Sequence, residues 1–488
     1  MTNETTTNEP ILVIAEDTLE PHFEEDSLTD KVGAQSARSR WLFWGGKGAL
    51  TLTDQGLIGS SNFLIGILLA RQLSPAQYGA YALAFEIFMV LSLVYSCLIL
   101  EPMLVFGPST YRDSFKKYLG VLVWMHFAVA LGTAVLLGGS AWIAEMLGGS
   151  AGLPTALVGA MIGAPCVLLF WLARRAFYVK LDPKTSVLGG LIYGGVVLIG
   201  TLTFYELRLL SAFVTFMLMA AGALAASPIL LSRLKPAVVL RPTCPSLREV
   251  INKHWSYGRW ALAASVAAWF SGNIYYVFLG SLRGLADTGS FKALQNLTSP
   301  IGHVFSALGL LALPYAARAY KESGALGVER LSWRLTSLCI GGTAIYWVAF
   351  LLLEHPVLHL LYAGRYVDVA YLIPWIALGS VCRMATIVPM ISLKAIQSPF
   401  LGFVAFVFSD IGACLVGVPA IWVFGLKGAI ITYVLSGAIG LITSFFLLRS
   451  RARGGASGLF GWSFPASSSV SDSPVGRSQV EETTVPAA

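Results

Sequence analysis

From Leu52 to Arg449 the chain runs through a series of apolar stretches, each close to the roughly 20 residues a helix needs to cross a bilayer and each ended by a short polar turn. Lipid offers no water to satisfy backbone amides, so such a stretch spans as a helix, whose hydrogen bonds are all internal. The charge content agrees: 12% of the 488 residues are charged and 56% are hydrophobic, about half the charge of a soluble domain. Such a chain cannot cover a water-facing surface. We therefore expect an all-α polytopic membrane protein with about 12 transmembrane helices in two six-helix lobes, and set soluble enzymes aside.

The helices are expected at roughly 52–73, 76–106, 117–143, 152–173, 185–205 and 209–231, then at 255–281, 289–317, 335–353, 368–392, 400–424 and 427–449. These groups define a first lobe over 49–231 and a second over 255–450. The stretch between them, "SRLKPAVVLRPTCPSLREVINKH", carries three prolines and several basic residues and reads as a cytoplasmic linker over 232–254. Residues 1–48 are polar and acid-rich, and 451–488 turn to Gly, Ser, Thr and Val. Neither segment can bury a core, and both read as disordered cytoplasmic tails. The first apolar run starts too late and is too long for a cleaved signal peptide.

Orientation follows from Lys and Arg near the helix ends, because positive charge is retained in the cytoplasm. One side of the expected bundle collects 24 of them, and the other has Arg71, Arg208, Arg283, Arg365 and Lys427. This asymmetry puts both termini of a multi-pass membrane protein in the cytoplasm. It also accounts for the net charge of +7 without a nucleic-acid partner, since the basic residues lie singly or in pairs beside apolar segments. Six scattered cysteines without CxxC spacing read as packing residues.

A shift of 210 residues lays "LARQLSPAQYGAYAL" on "LGSLRGLADTGSFKA", matching Leu69 with Leu279, Ala76 with Ala286 and Gly79 with Gly289. Both stretches fall between the first and second helix of their half, as two parallel six-helix repeats require.

Motifs for nucleotide hydrolysis, GxxxxGK[ST], and for membrane proteolysis, HExxH, are absent from the sequence. The longest outer loop, around "EHPVLHLLYAGRYVD", is too short for an external catalytic domain. His355 and His359 there have i, i+4 spacing, but Pro356 and the lack of a third ligand favour a loop-capping role over metal binding. The informative residues are charges at membrane depth, each costing at least about 2.5 kcal/mol at the bilayer centre and so expected to face a polar cavity. Arg259, Lys292 and Arg383 are the candidate substrate-binding cations, suited to an anionic head group such as phosphate. Glu86, Asp410 and Asp54 are the candidate ion-coupling carboxylates, with Glu101, His126 and His303 as further polar positions. For each, the competing reading is a snorkelling side chain or an ion pair that only locks helices together. Pro102, Pro165, Pro300, Pro314, Pro374, Pro389 and Pro419 permit bends within the spans.

The stretch "TDQGLIGSSNFLIGILLARQLSPAQYGAYALAFEIF", followed by "LEPMLVFG", resembles the opening of the polysaccharide-transport flippases, the Wzx-like branch of the multidrug/oligosaccharidyl-lipid/polysaccharide exporter superfamily. Asp54-Gln55-Gly56, "LLARQLSPAQYGAYALA" and Glu101-Pro102 carry the resemblance, over roughly 60 residues. It implies a V-shaped pair of six-helix lobes that moves an undecaprenyl-pyrophosphate-linked oligosaccharide from the inner to the outer leaflet by alternating access, for exopolysaccharide or O-antigen biosynthesis. It also implies no covalent chemistry and no cofactor beyond a coupling H+ or Na+. Implied partners are the lipid-linked oligosaccharide, membrane lipids and other polysaccharide-biosynthesis membrane proteins. Two alternatives stand beside it: an ion-coupled multidrug or small-molecule antiporter of the same superfamily, and a non-transporting scaffold of a polysaccharide-synthesis complex.

Overall fold

The computed structural model describes residues 59–148, 152–180, 182–238, 245–396 and 398–454; the expected tail over 1–48 lies outside them, as does that after Gly454. Among the described residues the elements are helical, with no strand. Residues 59–72 form α1. There follow α2 (Pro75–Tyr95), a π turn (Ser96–Leu100), α3 (Glu101–Phe106), α4 (Phe115–Met146), α5 (Leu153–Val179), α6 (Pro183–Glu206) and α7 (Ala212–Leu234). The second half contains α8 (Leu247–Leu282), α9 (Leu285–Asn296), α10 (Ser299–Leu352), α11 (Glu354–Tyr362), a 3-10 turn (Val367–Leu372), α12 (Ile373–Ala395), α13 (Pro399–Phe424) and α14 (Leu426–Ala452). Among the described residues ten helical segments are long and apolar enough to cross a membrane by themselves. Counting α1, and α9 with the first part of α10, this is a polytopic bundle of twelve helices in two lobes.

Local sequence sets the helix starts. Ser74 caps α2 with a capping box: its hydroxyl accepts from the Gln77 amide at 3.3 Å and its own amide donates to the Gln77 side chain at 3.1 Å, with Pro75 in the first turn. Ser246 caps α8 in the same way, accepting from the Glu249 amide. That helix consequently starts at Leu247, eight residues before the expected 255, and the basic stretch up to His254 is helical instead of linker. The polar stretch 318–334, expected as a loop, is also helical. It lacks proline, is rich in helix formers, and is broken only at Gly324, whose φ of 64° suits a residue without a Cβ. The segment around His355 and His359, expected as a loop, is the short helix α11 followed by the 3-10 turn.

In the first lobe α5 packs against α4, α7 and α2; in the second, α12 packs against α10 and α14, and α14 against α13. Large apolar residues such as Leu131, Ile345 and Leu415 face outward and are about two-thirds exposed, as lipid-facing positions are (66%, 72% and 72%).

The lobes meet where α2 crosses α9. A Cβ on Gly79 would lie 1.8 Å from the Leu285 carbonyl oxygen, and one on Gly289 would lie 1.9 Å from that of Pro75. The residues are related by the shift of 210 that relates the two halves: 79 to 289, and 75 to 285. Each helix therefore presents the same glycine to the same turn of the other, a two-fold contact within one chain.

Candidate functional site

Two turns along α2 from Gly79, Glu86 reaches Lys292, one turn along α9 from Gly289, at 3.2 Å. The Lys292 ammonium also sits over the rings of Phe85 and Tyr276, at 5.6 and 5.0 Å, while the Tyr276 hydroxyl donates to Gln295. The two side chains are 7% and 19% exposed, so the pair is largely withdrawn from water. A cation expected to hold substrate and a carboxylate expected to couple ions are thus partners, tying one lobe to the other. Removing either would strand a charge in a low-dielectric junction.

Arg383 lies in the second lobe, on α12. Its Nη1 donates to the Ser271 carbonyl of α8 at 2.6 Å, and its guanidinium lies 5.2 Å from the centre of the Tyr433 ring on α14. The Ser271 hydroxyl donates to the Asp410 carboxylate on α13. One residue of α8 therefore holds the cation through its carbonyl and the carboxylate through its hydroxyl. Gly272 makes room, because a Cβ there would lie 2.9 Å from Arg383 Nη2. The neighbouring Tyr275 hydroxyl and Ser436 Oγ are 2.5 Å apart.

This cluster borders a cavity of about 410 Å3 walled by Ser271, Arg383, Met384, Met390, Lys394 and Phe406, among others. Most of its wall is apolar side chain. Arg383 and Lys394 stand eleven residues apart, which on a helix is three turns and nearly the same face, about 16 Å along the axis. Lys394, counted in the sequence as a topology signal at a helix end, is in the last turn of α12 and lines the cavity. Glu101, half-buried at the start of α3 in the first lobe, is within electrostatic reach of Lys394 and Arg175.

The remaining candidates are dispersed. Arg259 is exposed on α8, two residues before the apolar stretch Ala261–Leu282. His126 is buried with its Nδ1 3.0 Å from the Tyr95 hydroxyl, a packing pair within the first lobe. Asp54 and the side chain of His303 lie outside the described residues. Among the described residues, no three His, Cys, Asp or Glu side chains gather as metal ligands would.

His254 was not singled out by sequence. Pro102 has no amide to offer the carbonyl four residues back, that of Leu98, and the π turn at Ser96–Leu100 lies there. The buried His254 imidazole, on the first turns of α8, takes that carbonyl by donating from Nδ1 at 2.7 Å and accepts from the Tyr118 hydroxyl at Nε2, 2.8 Å away. It lies ahead of the apolar span, and burial pulls its pKa down from 6.5 to about 4, so it is neutral in this arrangement. Glu249 accepts from Tyr111 at 3.1 Å nearby, and Gly258 abuts the Cys97 carbonyl. The first turns of α8 are thereby attached to the first lobe, while its second half holds the Arg383 cluster.

Solved structures with this fold include an inward-facing multidrug resistance MATE family transporter of the MOP superfamily, with a TM-score of 0.69 and 14% identity over 83% of this chain and 96% of that one. The outward-facing conformation of such a transporter gives a TM-score of 0.58 and 13% identity over 83% and 94% of the two chains. A MOP superfamily transporter from Pyrococcus furiosus with reversed binding-pocket polarity gives 0.60 and 13% over 83% and 94%. At these identities the likeness establishes the twelve-helix, two-lobe fold. No curated protein matches the sequence. The family model described as polysaccharide biosynthesis protein matches residues 68–370, well over half of the chain, and the protein belongs to that family.

Proposed function

We propose that this protein is a flippase that moves an undecaprenyl-pyrophosphate-linked oligosaccharide across the inner membrane by alternating access, with both termini cytoplasmic, and that it is not an enzyme. The observation that carries this reading is the cavity of the second lobe: a guanidinium held ready by Ser271 and Tyr433, a second cation at Lys394, and apolar walls between them. An anion entering a low-dielectric bundle loses its hydration, and a preorganised Arg offsets that loss with paired donors suited to phosphate oxygens. The apolar walls suit the lipid part of the same molecule. Inside-negative potential favours outward passage of the anionic head by about 2.3 kcal/mol per charge per 100 mV.

Asp410 shares Ser271 with Arg383, so it is the carboxylate best situated to exchange a proton or sodium ion when substrate engages the cation. The same carboxylate keeps a second reading open, an ion-coupled small-molecule antiporter, in which Asp410 outweighs Arg383. Inverted proteoliposomes carrying a fluorescent lipid-linked oligosaccharide test the proposal. Flipping should exceed that of empty vesicles and fall at least tenfold in Arg383→Gln. Flipping no faster than in empty vesicles would overturn it, and ion-driven efflux of small cations that Asp410→Asn alone abolishes would favour the antiporter.

A further inference from the structure

The face that α12 turns to the cavity has a cation at each end and an apolar wall between. Arg383 and Lys394 are eleven residues apart, and Ile387, Met390 and Ile391 lie between them along the same cavity. The two cations differ in how they are held. Arg383 is fixed by the Ser271 carbonyl and the Tyr433 ring and shares Ser271 with Asp410. Lys394 makes no hydrogen bond or ion pair with a described residue; it is exposed at the end of its helix, with half-buried Glu101 of the other lobe in electrostatic reach.

From this geometry we infer that Lys394 is a capture station, where the phosphate-bearing head of a polyprenyl lipid first docks, and Arg383 a transfer station about 16 Å deeper, to which the head passes along the apolar stripe. The inference rests on the flippase reading. A flexible, hydrated ammonium at the rim attracts an anion without giving up partners, which raises encounter and sets the concentration needed for half-saturation. A guanidinium already engaged must exchange its partners for the anion, so it governs the rate of the step that follows docking. The head crosses the intervening wall while its polyprenyl chain lies against Ile387, Met390 and Ile391, and methionine accommodates such a chain without one fixed shape. Glu101 opposes capture, because its charge competes with the phosphate for Lys394.

The test separates half-saturation from maximal rate in the reconstituted full-length protein, with polyprenyl-pyrophosphate-linked oligosaccharide as the probe. Lys394→Gln should raise the half-saturating concentration about tenfold and leave the maximal rate within about twofold, with Lys394→Arg restoring it. Glu101→Gln should lower half-saturation severalfold. Arg383→Gln should cut the maximal rate at least tenfold with half-saturation little changed. Direct binding of the same lipid in detergent should weaken about tenfold in Lys394→Gln. If Lys394→Gln and Arg383→Gln depress the same parameter, or if Lys394→Gln binds and flips as the parent does, the two-station inference falls while the flippase reading stands. If the parent protein neither flips nor binds the lipid, the flippase reading fails, and the stations with it.

Discussion

Gly79→Ala perturbs the place where the two lobes touch most closely. The new methyl group would lie 1.8 Å from the Leu285 carbonyl oxygen, against the 3.4 Å at which ordinary contact begins, so α2 and α9 must part by about 1.6 Å at the crossing. The obstacle is backbone of a packed helix and cannot rotate aside, so the strain is relieved by separating the helices. Overpacking of this kind costs about 1–3 kcal/mol. If the junction opens during the transport cycle, the same energy shifts the closed-to-open ratio by roughly 5- to 150-fold. Ala293, fully buried one turn beyond Gly289, reports on this: a cysteine there should react slowly with a maleimide in the parent protein and faster by that factor in Gly79→Ala. Gly289→Ala meets the Pro75 oxygen at 1.9 Å and should behave alike. One separation relieves both clashes, so the double variant should cost clearly less than the sum of the two. Unchanged labelling and thermal midpoint in both single variants, or full additivity in the double, would refute the shared two-fold crossing.

Glu86→Gln and Lys292→Met should each destabilise the protein by about 3 kcal/mol by stranding the partner, while the double variant recovers most of the loss. A double-mutant cycle on thermal unfolding checks this, and simple additivity would show that the pair does not act as one. His254 makes stability depend on pH. Its folded pKa of about 4 lies below the 6.5 of the unfolded chain, so the unfolded state binds the proton first; stability is complete above 6.5 and falls as pH drops toward 4, by about 3 kcal/mol in all. His254→Gln should flatten that slope in urea unfolding, and an unchanged slope would assign it to other groups. Ser271→Ala removes the hydroxyl donated to Asp410 while leaving the carbonyl that holds Arg383. Flipping should fall several-fold, with little further loss on adding Asp410→Asn; independent, multiplying losses would contradict a shared unit.

The spanning helices were legible because lipid imposes one rule on every apolar run: satisfy the backbone internally. The expectation erred where charge stood in for structure. At 318–334 the polar residues read as a loop, but Arg318 and Glu322 form an i, i+4 pair on a continuous helix, and a polar composition does not unmake one outside the bilayer core. Lys394 shows how much a helix-end position leaves unsaid. A basic residue at a helix end reads as an anchor at the membrane surface, and its place in a cavity appears only when α12 is set against its neighbours in the second lobe. The partner of Lys292 is 206 residues away and that of Asp410 is 139, and no local pattern links them. Pro102 did announce a free carbonyl at Leu98, but not that a histidine 156 residues on would take it. The repeat was the long-range feature within reach. Three identities in fifteen residues were weak as alignment, yet one of them, Gly79 with Gly289, is the pair that lets the lobes touch backbone to backbone. A repeat conserves the residue that makes its halves self-complementary, whereas charges have no reason to respect it: the Arg383 and Asp410 cluster has its whole framework in one lobe. Two halves built alike can therefore share a joint while the Arg383 and Asp410 cluster belongs to one of them.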